Sequence, residues 1–87
     1  MTFFNCFSLG RCFETDTEYD VEHFAQKTGI ASALDCYSEC VATPTCTHFT
    51  FATTSFAEVA AHGLCRLKTS SGTKKTLAGL TSGPITC

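Results

Sequence analysis

The chain has 87 residues, enough for one domain whose core is marginal without reinforcement. Its net charge is −2, and its six basic residues are scattered except for the Lys74-Lys75 doublet, which argues against a nucleic-acid or anionic-membrane surface. No apolar run approaches a membrane span, while seven cysteines are a density typical of disulfide-stapled extracellular scaffolds.

Residues 1–11 hold Phe3, Phe4, Cys6 and Phe7 and read as an incoming linker or a first edge strand. Met1-Thr-Phe-Phe-Asn lacks the basic start and apolar stretch of a signal peptide. The chain therefore reads as one module of a larger protein. The acidic segment after Cys12 has apolar points at Phe13, Tyr19, Val21 and Phe24, which suit short strands better than a helix.

The clearest helix lies at 33–43. Ser32 precedes Asp35 by three residues, a variant of the capping box. Ala33, Leu34, Cys36, Tyr37, Cys40 and Val41 then recur at helical spacing, with Cys36 and Cys40 on one face. Pro44 ends the helix. Residues 46–54 alternate like a strand, with Phe49 and Phe51 on the core side. Residues 55–63 read as a loop with a helical turn closed by Gly63. In residues 64–69, Leu64, Arg66 and Lys68 alternate against Cys65, Leu67 and Thr69. Residues 70–80, rich in Gly, Ser and Thr, read as a loop, and residues 81–87 as a last short strand.

Three chemistries compete for the cysteines. As disulfides, Cys40 and Cys46 flank Pro44 and suit a small ring at the helix end. Cys36 then reaches another strand, where Cys65 is the natural candidate, and a bridge from the N-terminal region to Cys87 closes most of the chain. As zinc ligands, Cys36, Cys40, Cys46, His48 and Cys65 are available, but only one closely spaced pair exists and no second knuckle mirrors it. As a nucleophilic centre, any cysteine could be paired with His23, His48 or His62, yet no Gly-rich elbow, Cys-x-x-Cys or protease signature marks one out. The disulfide reading is preferred, with no catalytic residue, metal or cofactor expected.

The blocks Cys12-Phe13-Glu14, "ALDCYSEC" (33–40), "PTCTHFTF" (44–51), "LCRLKTS" (64–70) and "SGPITC" (82–87) occur in an order that resembles the PAN/apple domain. The resemblance spans Cys12 to Cys87. It implies an α+β fold in which a curved antiparallel sheet of about five strands cradles one helix, with residues 12–87 as the domain. It also implies nested bridges, Cys36–Cys65 and Cys40–Cys46 inside a terminal bridge to Cys87. The partner of Cys87 is Cys6 on the pattern of vertebrate plasma modules and Cys12 on that of parasite modules. Spacing to the helix favours Cys12 and leaves Cys6 odd, free or bridged outside the module.

A long segment between Cys12 and Cys36, and a short loop of low charge after Phe51, make the chain most similar to tandem apple modules of apicomplexan microneme adhesins. That resemblance implies a non-catalytic, secreted adhesion module. Its partners would be a host-cell surface protein or glycan and neighbouring apple modules, without membrane insertion. Candidate ligand residues are Tyr19, His48, Lys68, Lys74 and Lys75, each with an ordinary alternative as core, sheet-face or solvated side chain. Tyr37, beside Cys36, is expected at the core or its rim. The competing expectation is a structural spacer that packs against its neighbours, with Phe3, Phe4 and Phe7 contributing to that surface.

Overall fold

A computed structural model describes residues 12–87. The expectations for Phe3, Phe4, Cys6 and Phe7 fall outside the described residues. The chain forms β1 (Glu14–Asp20), β2 (Ala25–Lys27), α1 (Ala33–Ala42), β3 (His48–Ala52), a 3-10 turn (Val59–Ala61), β4 (Cys65–Lys68) and β5 (Thr73–Pro84). The strands make one five-stranded sheet in the order β1-β5-β3-β4-β2, and every pairing is antiparallel. This is the α+β architecture that the resemblance implies.

Central β3 pairs His48 with Lys68 and Phe51 with Cys65 on one side, and Phe49 with Gly83 and Ala52 with Leu80 on the other. Its alternation has two buried faces rather than one. Phe49 and Phe51 enter the core on the side of α1, while Thr50 and Ala52 are buried on the opposite face. Gly83 must be small: a Cβ there would lie 2.9 Å from the Phe13 ring and 3.2 Å from that of Phe49.

The helix begins where the capping signal places it. Ser32 Oγ accepts from the Asp35 backbone N–H at 3.1 Å. At the other end the Thr43 N–H donates to the Cys40 carbonyl, and the Thr43 hydroxyl to that of Glu39 at 2.7 Å. Cys36 and Cys40 form the buried stripe of α1. Bridges Cys36–Cys65 and Cys40–Cys46 tie it to β4 and to the chain entering β3, and Cys12–Cys87 joins the two ends of the described chain. These are the pairs implied by the resemblance, with Cys12 as the partner of Cys87. Phe13 meets Phe49 edge-on at 5.2 Å and Tyr37 at 5.7 Å. The Tyr37 hydroxyl donates to the Ile85 carbonyl at 3.4 Å, which places this ring at the core's edge.

The loop expected at 70–80 is a strand from Thr73 onward. Its Gly and Ser content suggested a loop, but Thr73 and Thr76 are β-branched and pair with Asp20 and Thr17. Gly72 (φ +56°) lies just before this strand, and Gly79 (φ +90°) only punctuates it. At Gly79 the strand changes course. The β1–β5 register jumps from Thr15↔Thr81 to Thr17↔Thr76, across Asp16 at φ +52°. Asp16 Oδ1 accepts from the Gly79 N–H at 2.9 Å and holds the irregularity.

Beyond that break, residues 17–20 and 73–76 form a two-stranded ribbon across the sheet face away from α1. Ser82 Oγ donates to the Thr17 carbonyl at 2.8 Å, so the Thr50 hydroxyl, 2.7 Å from Ser82 Oγ, is the donor of that pair. The Lys68 amine donates to the Tyr19 carbonyl. The ribbon thereby buries Thr50, Lys68 and Ser82, polar residues that would otherwise meet water.

Candidate functional site

The ribbon brings three of the five sequence-named candidates into one cluster. Tyr19 is 1% exposed and its ring meets that of His48 edge-on at 5.6 Å. The Tyr19 hydroxyl donates to Glu14 Oε1 at 2.9 Å, and Lys74 Nζ lies 3.0 Å from Glu14 Oε2 and 5.9 Å from the centre of the Tyr19 ring. The hydrogen bond from Lys74 holds the Glu14 carboxyl below its ordinary range, against the opposing effect of burial. Burial, then the hydrogen bond to Glu14 and its charge, pushes Tyr19 ionisation well above the usual phenol range. Burial, then Lys74, lowers the His48 imidazole.

Lys75 leaves this cluster because side chains alternate along a strand, and it pairs with Asp20 at 3.1 Å. Lys68 is 2% exposed under the ribbon. Burial lowers its pKa, while Glu18 and Asp20 oppose the shift. Sequence alternation had grouped Lys68 with Arg66 and Leu64. The ribbon that covers it comes from distant chain and left no local signal.

Beside the ribbon lies a cleft of about 230 Å³. Its floor is the sheet face away from α1: Thr50 and Ala52 of β3, Arg66 of β4 and Leu80 of β5. Glu18 and Leu77 wall it on the ribbon side, and Phe56, Glu58, Ala61 and Leu64 on the side of the β3–β4 connection.

That connection is pinned at several points. Thr53 Oγ1 donates to the Gly79 carbonyl at 2.8 Å, the Gly63 N–H to the Ala52 carbonyl, and the His62 ring lies 2.7 Å from the Phe56 carbonyl. The walls are therefore built before any ligand arrives.

Six of the ten lining residues are apolar, so the polar ones define what the cleft can select. Arg66 Nε is buried without a hydrogen-bond partner. A buried guanidinium donor left in that state costs about 1–3 kcal/mol. Neither Glu18 nor Glu58 takes part in a contact ion pair among the described residues. The Thr50 hydroxyl is already committed to Ser82. The polar part of the lining is one guanidinium, one hydroxyl and two carboxylates, beside an apolar wall.

Sequence reasoning missed the cleft. The alternation of Arg66 against Cys65 and Leu67 was visible in the sequence, without showing which of the two faces the core lies on. Nothing local showed that Phe56, Glu58 and Leu77 would rise around it.

The cysteines considered as zinc ligands, Cys36, Cys40, Cys46 and Cys65, are all joined in bridges. No helix among the described residues is long and apolar enough to cross a membrane. A search of curated proteins finds no match to the chain. The family model for the PAN domain matches residues 12–86, from the first cysteine of the terminal bridge to the residue before the last. The chain belongs to the PAN domain family, whose members are generally extracellular, non-catalytic modules that bind proteins or carbohydrates.

Proposed function

We propose that this chain is a recognition module of a secreted multi-apple adhesin of the microneme type, contributing to attachment to a protein or glycan of a host cell. The observation that carries the recognition reading is the cleft itself, concave and partly apolar with one guanidinium and two carboxylates in its lining. Pre-formed concave sites with few, well-placed polar groups are the usual form of a binding site. The microneme assignment is supported by the long Cys12–Cys36 segment and the short, weakly charged loop after Phe51. In this reading Tyr19, His48 and Lys68 hold the ribbon that forms one wall, and the half-exposed Lys74 and Lys75 offer secondary contacts beside it. Several weak copies in tandem would gain strength through effective concentration.

The test is binding of the refolded module, as monomer and as clustered tetramer, to a glycan array and to cultured host cells. Saturable tetramer binding that excess free monomer competes supports recognition. Silence of both formats on both surfaces, with the bridges confirmed, overturns it.

A second reading has its own observation. Leu34 and Val41 are 46% and 55% exposed and lie two turns apart on one side of α1. Such a stripe suits a spacer module that packs against its neighbour. Small-angle scattering of a tandem two-module chain separates the readings, since packing gives a compact, fixed pair and independent recognition modules give a flexible one.

A further inference from the structure

We propose that residues 3–7 of the chain dock on the outer side of α1, with the Phe7 ring covering the half-exposed stripe of Leu34 and Val41. The chain thereby supplies the cover for its own helix. This is independent of the recognition reading, and it leaves the stripe unavailable for packing between modules.

The apolar surface of α1 has a direction. A helix turns about 100° per residue, so Leu34 and Val41 lie nearly in line, and Tyr37 lies on the flank between them and the buried Cys36 and Cys40. The other flank carries Asp35 and Glu39, and Glu39 pairs with Lys27 at 3.3 Å. Apolar surface therefore runs from Leu34 and Val41 toward Tyr37, and on to Phe13, whose ring lies 5.7 Å from that of Tyr37.

The first residues of the chain join at the end of that surface. Phe13 is packed against Tyr37 and Phe49, and Cys12 is fixed by its bridge to Cys87. Residues 1–11 are thus tethered on the Tyr37 flank. Phe7 precedes Cys12 by five residues, a reach of up to about 17 Å. The stripe spans seven residues of helix, about 10 Å, so Phe7 reaches all of it.

The composition fits the surface. Phe3-Phe4-Asn5-Cys6-Phe7 carries three rings and no charge, and aromatic rings gain by leaving water against apolar side chains. A second copy would have to compete with a segment tethered beside the stripe, whose effective concentration is about millimolar. The tethered segment is therefore the occupant.

The experiment uses the 87-residue chain, with Leu and Val methyl groups labelled for NMR. The proposal expects nuclear Overhauser contacts from the Leu34 and Val41 methyls to Phe rings of residues 3–7, lost from Phe7 in Phe7→Leu. Their intensity per molecule should not change on about twentyfold dilution. Contacts that fade on dilution assign the stripe to a second copy and overturn the proposal, as does the absence of contacts to these rings.

A second readout is the rate at which chymotrypsin cuts after Phe7, which follows the population of the undocked segment. Leu34→Gln with Val41→Gln should raise that rate about tenfold or more. Both positions are on the helix surface and Gln is a good helix former, so the fold is retained. An unchanged rate overturns the proposal.

Discussion

The side-chain amine of Lys68 donates to the backbone carbonyl of Tyr19, 49 residues away in sequence, where the β1–β5 ribbon crosses the sheet. The same carbonyl accepts from the Val21 N–H at 2.8 Å, so losing the lysine does not strand it. Lys68→Met keeps an unbranched chain under the ribbon and removes a buried charge. Trading such a charge for an apolar group of similar volume is often close to neutral. We predict a change under about 1 kcal/mol for Lys68→Met and a loss of about 2–3 kcal/mol for Lys68→Ala, which leaves a void. Denaturant unfolding of both variants checks this. Equal losses would show that the charge, and not the packing of its stem, holds the ribbon.

The three bridges close loops of very different length, with sequence separations of 75, 29 and 6. On the chain-entropy model they contribute about 4.5, 3.6 and 2.2 kcal/mol in that order. Replacing Cys40 and Cys46 together by Ala should therefore cost least. Cys36 and Cys65, like Cys40 and Cys46, are buried in the core, so each of these double Ala variants adds a cavity cost to the lost bridge. Thermal unfolding of the three double variants gives the order, and peptide mapping without reductant identifies the pairs.

Acid should loosen the ribbon through two groups of the same sign. His48 is lowered by burial and by Lys74, so below its ordinary value of 6.5 the unfolded chain takes up a proton before the folded one does. Stability therefore falls as pH drops through that window, and this contribution levels off below the folded value. Glu14, lowered by its bond from Lys74, adds a loss below its ordinary 4.5. The melting temperature should fall between about pH 7.5 and about pH 5.5, and His48→Gln should flatten that fall. Unchanged pH dependence in the variant would contradict the burial of His48 against Tyr19.

Gly79 is the pivot of the cleft. At φ +90° a side chain is strained, and a Cβ would run into the backbone of Phe56. Gly79→Ala should cost at least about 2 kcal/mol and displace the wall that carries Phe56 and Glu58. Both effects are readable in one spectrum, as lost stability and as shifted amides around the cleft.

The helix, its cap and the core strand were legible because their signals are local. Ser32 and Asp35, the Cys36–Cys40 spacing and Phe49–Phe51 each report on neighbours within a few residues. The bridges were legible because the cysteine blocks resemble a family with a known order. The strand at 73–80 was not, because its partners Thr17 to Asp20 lie more than fifty residues away and its own composition imitates a loop. Tyr19 and Lys68 looked like available surface for the same reason: the ribbon that buries them is visible only once β1 and β5 are paired. The alternation around Arg66 was visible, but the face it lies on and its missing hydrogen-bond partner are properties of the assembled sheet.

The most direct test of recognition through the cleft compares clustered tetramers of the unmodified module and of Arg66→Met on host cells. The variant must first show the same bridges and the same melting temperature. The account predicts that the unmodified tetramer attaches and that attachment of the variant falls about tenfold or more, since each of several copies loses the same contact. Equal attachment of the two tetramers would contradict it and place recognition on another surface.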